Sequence, residues 1–350
     1  MYPAPGQHTG PGVLPPAADS VVFQGHLIYD DPRIVRDLGY SGVVNGQIVW
    51  TFGDTLVDDG GKTVFAASDS SALGELANPM KAHDKALRSN GYPEEWIPLT
   101  ADEQANGGLG RFAEGGTNIV EYAPNKGLVW FLKNDRGGGM DHIIGAGVAT
   151  VTADEHGAVA TRTMDHMWES DEPNWGDVGV TYDPTDEKVY VFGHGTPSMN
   201  VNGTVYLARV PAAQATDITA YEYWSQKTKS WSGTRYGNGR AGTVTYTIDE
   251  ALFSYAAHGQ SNAFYSNYFN TWMFVYGADW PTSDIYVSTA PKLEGPWTSP
   301  ITIGTTCPTG SCGNLRYCIA PHPEFDASGK TLLVTWTDAN VVDAVKVTWK

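Results

Sequence analysis

Long apolar runs are missing: no segment reaches the roughly 18 consecutive apolar residues of a membrane-crossing helix, so no membrane partner is expected. The first residues also lack the basic, apolar and small-residue sectors of a signal peptide. The Pro- and Gly-rich stretch over residues 1–20 reads instead as an extended arm left after signal removal. Basic residues are scarce, 22 against 39 acidic ones, and the net charge of −17 repels nucleic-acid phosphates and anionic lipid surfaces. A neutral or cationic ligand fits this field better. Cysteine is almost absent: Cys307, Cys312 and Cys318 share one short stretch, a spacing that permits one local disulfide and leaves one thiol over. No C-x-x-C and no nearby His pair completes a zinc set, so no metal and no cofactor is expected. Gly137-Gly138-Gly139 before Asp141-His142 lacks both phosphate-loop patterns and reads as a flexible loop. One bridge, together with the sequon Asn202-Gly203-Thr204, points to an oxidising compartment and a secreted protein.

What is abundant is glycine, 40 residues, and aromatic side chains, 12% of the chain, against only 17% charged residues. That is the composition of a β-rich globular protein with many tight turns. Two segments repeat without gaps: Asp37-Leu38-Gly39 through Phe52-Gly53-Asp54, and Asp177-Val178-Gly179 through Phe192-Gly193-His194. Each reads as a hairpin around a polar turn. Looser copies start at Asn118, Asn262 and His322, and further strand-like runs such as Val205–Val210 and Ile285–Thr289 follow the hairpins. Units of roughly 70 residues built this way predict an all-β fold, a five-bladed β-propeller in one domain over 21–350. A large β-sandwich is the rival architecture. Residues from about Ala66 to Glu114, with Leu73, Leu76, Met80 and Leu87 in a partly helical period, read as an insertion on one face.

In a propeller the start of a blade's first strand and the end of its second reach the same rim. Asp37 and Asp54 then share one mouth of the channel and form the candidate catalytic pair, echoed by Asp177 and His194. The same reasoning brings Asn118, Gln260, Asn262, His322 and Glu324 to that rim as candidate substrate-binding groups. Cleaving a glycosidic bond needs one carboxylic acid to protonate the leaving oxygen and one carboxylate to attack or to activate water. Sugar rings stack on aromatic faces, for which Trp175 and Tyr265 are the leading candidates and Tyr40, Tyr268 and Trp280 further ones. His258 could line the same cup.

The motifs Asp37-Leu38-Gly39, Phe52-Gly53-Asp54-Thr55, Trp272-Met273-Phe274-Val275-Tyr276, Ala290-Pro291-Lys292-Leu293-Glu294-Gly295-Pro296-Trp297 and His322-Pro323-Glu324 resemble those of the domain-of-unknown-function 4185 group, which includes glycoside hydrolase family 183. The resemblance covers most of the chain from about Val21. It implies a five-bladed propeller of the furanosidase type, endo-D-arabinanase-like activity, and an acid pair carried by Asp37 and Asp54. His194 and the Pro-rich start are not among the features this resemblance assigns.

The expected protein is a secreted, monomeric hydrolase of a neutral, arabinan-like oligo- or polysaccharide. Two rivals remain. A polysaccharide lyase would use His194, His258 or His322 with Tyr265 and need Arg36, Arg111, Arg136 or Arg316 to neutralise a uronate. A lectin-like propeller would need aromatic platforms and no acid pair.

Overall fold

The first hairpin joins Ile34–Val44 to Gln47–Asp58 through Asn45-Gly46, whose φ values of 52° and 75° both lie in the left-handed region. A two-residue hairpin turn of this type demands that conformation twice, and Asn-Gly supplies it at least cost. Ser70–Glu75 and Asn78–His83 extend the same sheet outward, Ile28–Tyr29 pairs on its outer edge, and Thr63–Ala67 pairs with the far end of the second strand, completing blade 1. The computed structural model describes residues 10–139, 142–201, 203–253, 260–277, 283–310, 312 and 315–350, and within them the pattern recurs four more times. Blade 2 runs Phe112–Ala123, Lys126–Asp135, His142–Asp154 and Gly157–Arg162. Blade 3 runs Asn174–Asp183, Lys188–His194, Val205–Pro211, Glu222–Ser225 and Ser230–Ser232. Blade 4 runs Asn262–Ser266, Thr271–Gly277, Asp284–Ala290 and Ile301–Thr305. Blade 5 takes Arg316–His322, Thr331–Asp338 and Val341–Trp349, and borrows its outer strand, Ala18–His26, from the start of the chain. The fold is an all-β, five-bladed propeller, closed by pairing between the two ends of the chain.

Apolar side chains alternate along the strands and meet between neighbouring blades. Four of the five second strands carry a buried tryptophan there: Trp50, Trp130, Trp272 and Trp336. Large flat rings fill the wedge between twisted sheets and account for the high aromatic content.

Two expectations shift in register. Asn118 and His322 do not begin hairpins: blade 2's inner strand starts at Phe112, and blade 5's starts at Arg316 and ends at His322. The inner strands are bulged, with register shifts between Arg36 and Leu38, Gly116 and Ile119, Trp175 and Gly179, and Tyr317 and Ala320. A bulge adds unpaired residues to one strand, so short matches slide against the true strand starts. The stretch Ala66–Glu114 holds the outer strands of blade 1, where Leu73 and Met80 lie, and its helix is confined to Ala101–Ala105 under a Thr100–Glu103 capping box. Beyond the strands, Asp69 accepts the N–H groups of Trp96 (3.2 Å) and Ile97 (2.9 Å) and pins this excursion against the blade.

The channel between the inner strands is blocked midway. Tyr40 is buried against Cys318 and Ala320, and its hydroxyl donates across the axis to the Val178 carbonyl at 3.2 Å.

Candidate active site

Asp37 sits at the bulge of blade 1's inner strand and Asp54 near the end of the adjacent second strand, so the Arg36–Thr55 and Leu38–Phe52 pairings bring them to the same mouth. Between them in the ladder lies Gly53, where an added Cβ would stand 2.4 Å from Asp37 Oδ1 and 2.9 Å from Leu38 Cδ1. The Phe-Gly-Asp motif thus has a local cause: only glycine leaves room for the neighbouring carboxyl.

The two acids have different surroundings. Asp54 is the open one, its side chain 35% exposed, and Arg136 Nη2 donates to its Oδ1 at 2.8 Å. Asp37 is largely enclosed: Oδ2 accepts the Tyr317 hydroxyl at 2.9 Å, while Oδ1 is buried with no hydrogen bond among the described residues. Burial, and next the charge of Asp54, push the Asp37 carboxyl up to about 7, against a partial pull-back from Tyr317, the Asp54 N–H and Arg136. Tyr317 keeps its proton, because burial and the charge of Asp37 raise its pKa further still. A protonatable acid beside an arginine-paired carboxylate is the division of labour that acid–base chemistry on a glycosidic bond requires.

Glu95, delivered by the excursion after blade 1, accepts the Ser68 N–H at 2.8 Å and also the Ser68 hydroxyl. Burial raises its pKa, with a smaller contribution from Asp54, which puts Glu95 within the electrostatic reach of the pair. Asp177 occupies the blade 3 counterpart of Asp37, also at a bulge. It accepts the His194 N–H at 3.0 Å and pairs with His194 Nδ1 at 2.8 Å. The repeat between blades 1 and 3 is thus realised as two inner-strand aspartates, each next to the residue that follows a Phe-Gly.

Other expected site residues lie elsewhere. Trp175 is fully buried in the blade 3 core, 5.4 Å from the Tyr223 ring, so it offers no face to a ligand. Asn118 spends both ends of its amide on the Val180 backbone at 2.8 Å and locks blade 2 to blade 3. Tyr265, His322 and Glu324 are set toward the opposite mouth, because they fall late in or beyond their inner strands and Asp37 falls near the start of its own; Asn262 opens its short inner strand yet lines the same opposite cavity. Gln260 joins blades 4 and 5, its carbonyl accepting the Ile319 N–H at 3.0 Å. Tyr40 plugs the channel, and Tyr268 is buried near the chain ends with its hydroxyl on the Lys350 carbonyl. His258, Trp280 and Asp141 lie outside the described residues. Cys307 and Cys312 form the disulfide and Cys318 is the buried thiol. Among the described residues no group of three or more potential metal ligands occurs.

Sequence reasoning did not assign Tyr317, Arg136 or Glu95 to the acid pair. Arg136 directly follows the second strand of blade 2, the position that Asp54 approaches in blade 1, and that topological signal was available. Nothing local marks Tyr317 or Glu95.

A closed ring of five mainly antiparallel sheets defines the class: a five-bladed propeller, with Asp37 and Asp54 as candidate site residues at one mouth. Residues 147–342, more than half of the chain, match the family described as domain of unknown function (DUF4185), and the chain belongs to it. A search of curated proteins finds no match. Among solved structures, the chain is similar to a protein from Bacteroides ovatus provisionally termed a hydrolase, with TM-score 0.56 and 13% identity over 89% of this chain and 85% of that one. It is also similar to an arabinanase from Bacillus subtilis, with TM-score 0.51 and 10% identity over 93% of this chain and 96% of that one. A third is an exo-β-1,3-galactanase from Phanerochaete chrysosporium, with TM-score 0.53 and 10% identity over 95% of this chain, which spans 64% of that longer one. At these identities the likeness is one of fold.

Proposed function

We propose that the protein is a glycoside hydrolase acting on a neutral, furanose-containing glycan of the arabinan type. Asp37 is the general acid: its buried carboxyl, with a pKa of about 7, holds a proton for the leaving oxygen at neutral pH. Asp54, exposed and paired with Arg136, is the carboxylate that acts on the anomeric carbon or its attacking water. Tyr317 orients Asp37, and Asp177 with His194 flanks the mouth. The single observation that carries this reading is the contrast in environment between two carboxyls on paired strands. The resemblance to arabinan- and galactan-cleaving propellers supports a saccharide substrate, and the Cys307–Cys312 bridge supports an oxidising, extracellular setting.

The lyase reading has little support. Arg36 is fully buried between the Tyr29 and Phe52 rings and paired with Asp84, Arg316 is committed to Thr306 and Ser283, and Arg111 to Asp135. Arg136 already serves Asp54. A lectin reading leaves unexplained why only one blade carries the acid pair.

The test is reducing-end release from D-arabinan, L-arabinan and β-1,3-galactan, comparing the intact protein with Asp54→Asn. The intact protein should release ends from a furanan, and the variant should lose about 10²–10⁴-fold in kcat while keeping its fold. Full activity in the variant would remove Asp54 from the mechanism.

A further inference from the structure

A sizeable cavity lies at the mouth opposite the acid pair. It holds about 460 Å³, within the range of small-molecule sites (about 300–1,000 Å³), and opens where the five inner strands end or turn. The Tyr40 plug separates it from Asp37. Three tyrosines from three blades, Tyr122, Tyr182 and Tyr265, line it and are only partly buried. At its floor Glu324, only 5% exposed, accepts the Ser41 hydroxyl and lies 3.5 Å from the buried His322, which is itself fixed through Nε2 to Thr335 at 2.7 Å. No lysine, arginine or histidine lines the cavity.

We propose that this distal cavity is a second saccharide-binding site, taking a neutral sugar segment of the same glycan; it rests on the hydrolase reading above. Tyrosine faces cover the C–H side of a sugar ring, while the Tyr122 and Tyr182 hydroxyls and the Glu324 carboxylate meet its hydroxyls. The lack of any cationic lining disfavours phosphates, sulfates and uronates. Polar groups on the cavity wall that ligands often use are spent on the fold: Asn118 on Val180, and the Thr181 hydroxyl on the Ala263 carbonyl. Of the two carboxylates on the wall, Glu121 accepts the Asn45 and Asn125 N–H groups through Oε1 and Glu324 accepts the Ser41 hydroxyl; the rest of the lining is mainly aromatic and aliphatic, a set that suits a neutral ring with carboxylate acceptors for its hydroxyls. Two sites on opposite faces would hold two stretches of one long or branched polymer, raising its effective concentration at the acid pair without altering turnover of short substrates.

The experiment fills the cavity from its rim. Ala123→Trp and, separately, Val43→Trp place an indole in the space from partly exposed positions, and Tyr182→Ala removes one platform. Arabino-oligosaccharides of the D- and L-series are titrated calorimetrically into the Asp54→Asn form with and without each change, with spermidine as a cationic control. Kinetics of the same three changes are measured in the otherwise intact protein. The expected result is two saccharides per chain falling to one on filling. In the active protein KM for polymer should rise about tenfold or more, with kcat on a short oligosaccharide unchanged. One saccharide per chain with normal turnover, or binding that survives both fillings, overturns the second site and leaves the hydrolase intact. Spermidine in place of sugar also overturns it. Two-site binding without any turnover overturns the hydrolase reading alone, and no saccharide binding at all overturns both.

Discussion

At the scale of single residues, the proposed role of Asp37 carries a cost in stability. Its carboxyl moves from 3.8 to about 7 on folding, mainly through burial. Between these values the native state holds a proton that the unfolded chain has released, so stability falls as pH rises from about 4 to about 7 and is flat above. The full span corresponds to about 4 kcal/mol, taking about 1.4 kcal/mol per pKa unit. Asp37→Asn keeps an oxygen for Tyr317 and removes the charge. It should therefore melt higher than the intact protein at pH 8, by up to that amount, and lose the advantage near pH 4, while activity is lost at every pH. Thermal melts across this range check it, and an equal effect at both ends would mean that Asp37 is not buried protonated. If Asp37 is the general acid as proposed, activity of the intact protein should also decline above about pH 7 as that carboxyl loses its proton. Gly53→Ala makes the complementary prediction. The new Cβ displaces the Asp37 carboxyl and Leu38, so kcat should drop at least about tenfold with little change in KM, since a shift of about 1 Å in a catalytic group can cost as much as 10²-fold. Unchanged kcat would show that the pair tolerates movement.

At the scale of elements, the hairpins were legible where chemistry is local and illegible where it is not. Asn45-Gly46 announces its turn because two consecutive left-handed residues have few solutions, and Phe52-Gly53-Asp54 announces a site because glycine is forced there by a carboxyl on the next strand. The pairing of Asp37 with Asp54 and of Asp177 with His194 followed from strand direction alone. Asn118, His322 and Glu324 went to the wrong mouth because bulges in the inner strands shift residues along the axis without leaving a mark in the hydrophobic pattern. Trp175 was misread for a related reason: the bulge between Trp175 and Gly179 turns it into the blade 3 core, two residues from an aspartate at the mouth. Tyr317 reaches Asp37 from blade 5, and Glu95, held by Ser68 in the excursion after blade 1, feels the charge of Asp54. Such contacts join residues hundreds or tens of positions apart and depend on ring closure, which no window of sequence contains. The strands of Ser70–Glu75 and Asn78–His83 were hidden because their apolar residues also fit a helical period, a frequent ambiguity in short runs.

At the scale of the whole molecule, the ring has one seam without covalent continuity between its neighbours. Blade 5 is completed by Ala18–His26 pairing with Val341–Trp349, from Ala18 beside Trp349 to His26 beside Asp343. Apart from the short Ile28–Tyr29 strand on the outer edge of blade 1, the other blades are built from strands in chain order, so opening at this seam exposes an unpaired edge and the buried Val345, Val347 and Trp349. Unfolding should begin there. Val22 and Lys346 are cross-strand partners, and both side chains are exposed, so the double change Val22→Cys with Lys346→Cys adds a bridge without disturbing the core. Closing so long a loop removes chain entropy worth up to about 5 kcal/mol from the unfolded state. Because the bridge acts on the step that opens the ring, the oxidised protein should also inactivate several-fold more slowly at high temperature than its reduced form. Catalytic rates at 25 °C should be equal, since the seam lies in blade 5's outer strands and the acid pair in blade 1. Equal inactivation rates in the two redox states would place the first opening at another pair of blades. The contact between blades 1 and 2 would then be the next to bridge, because Arg136 crosses it to reach Asp54 and any loosening there would be read directly as lost turnover.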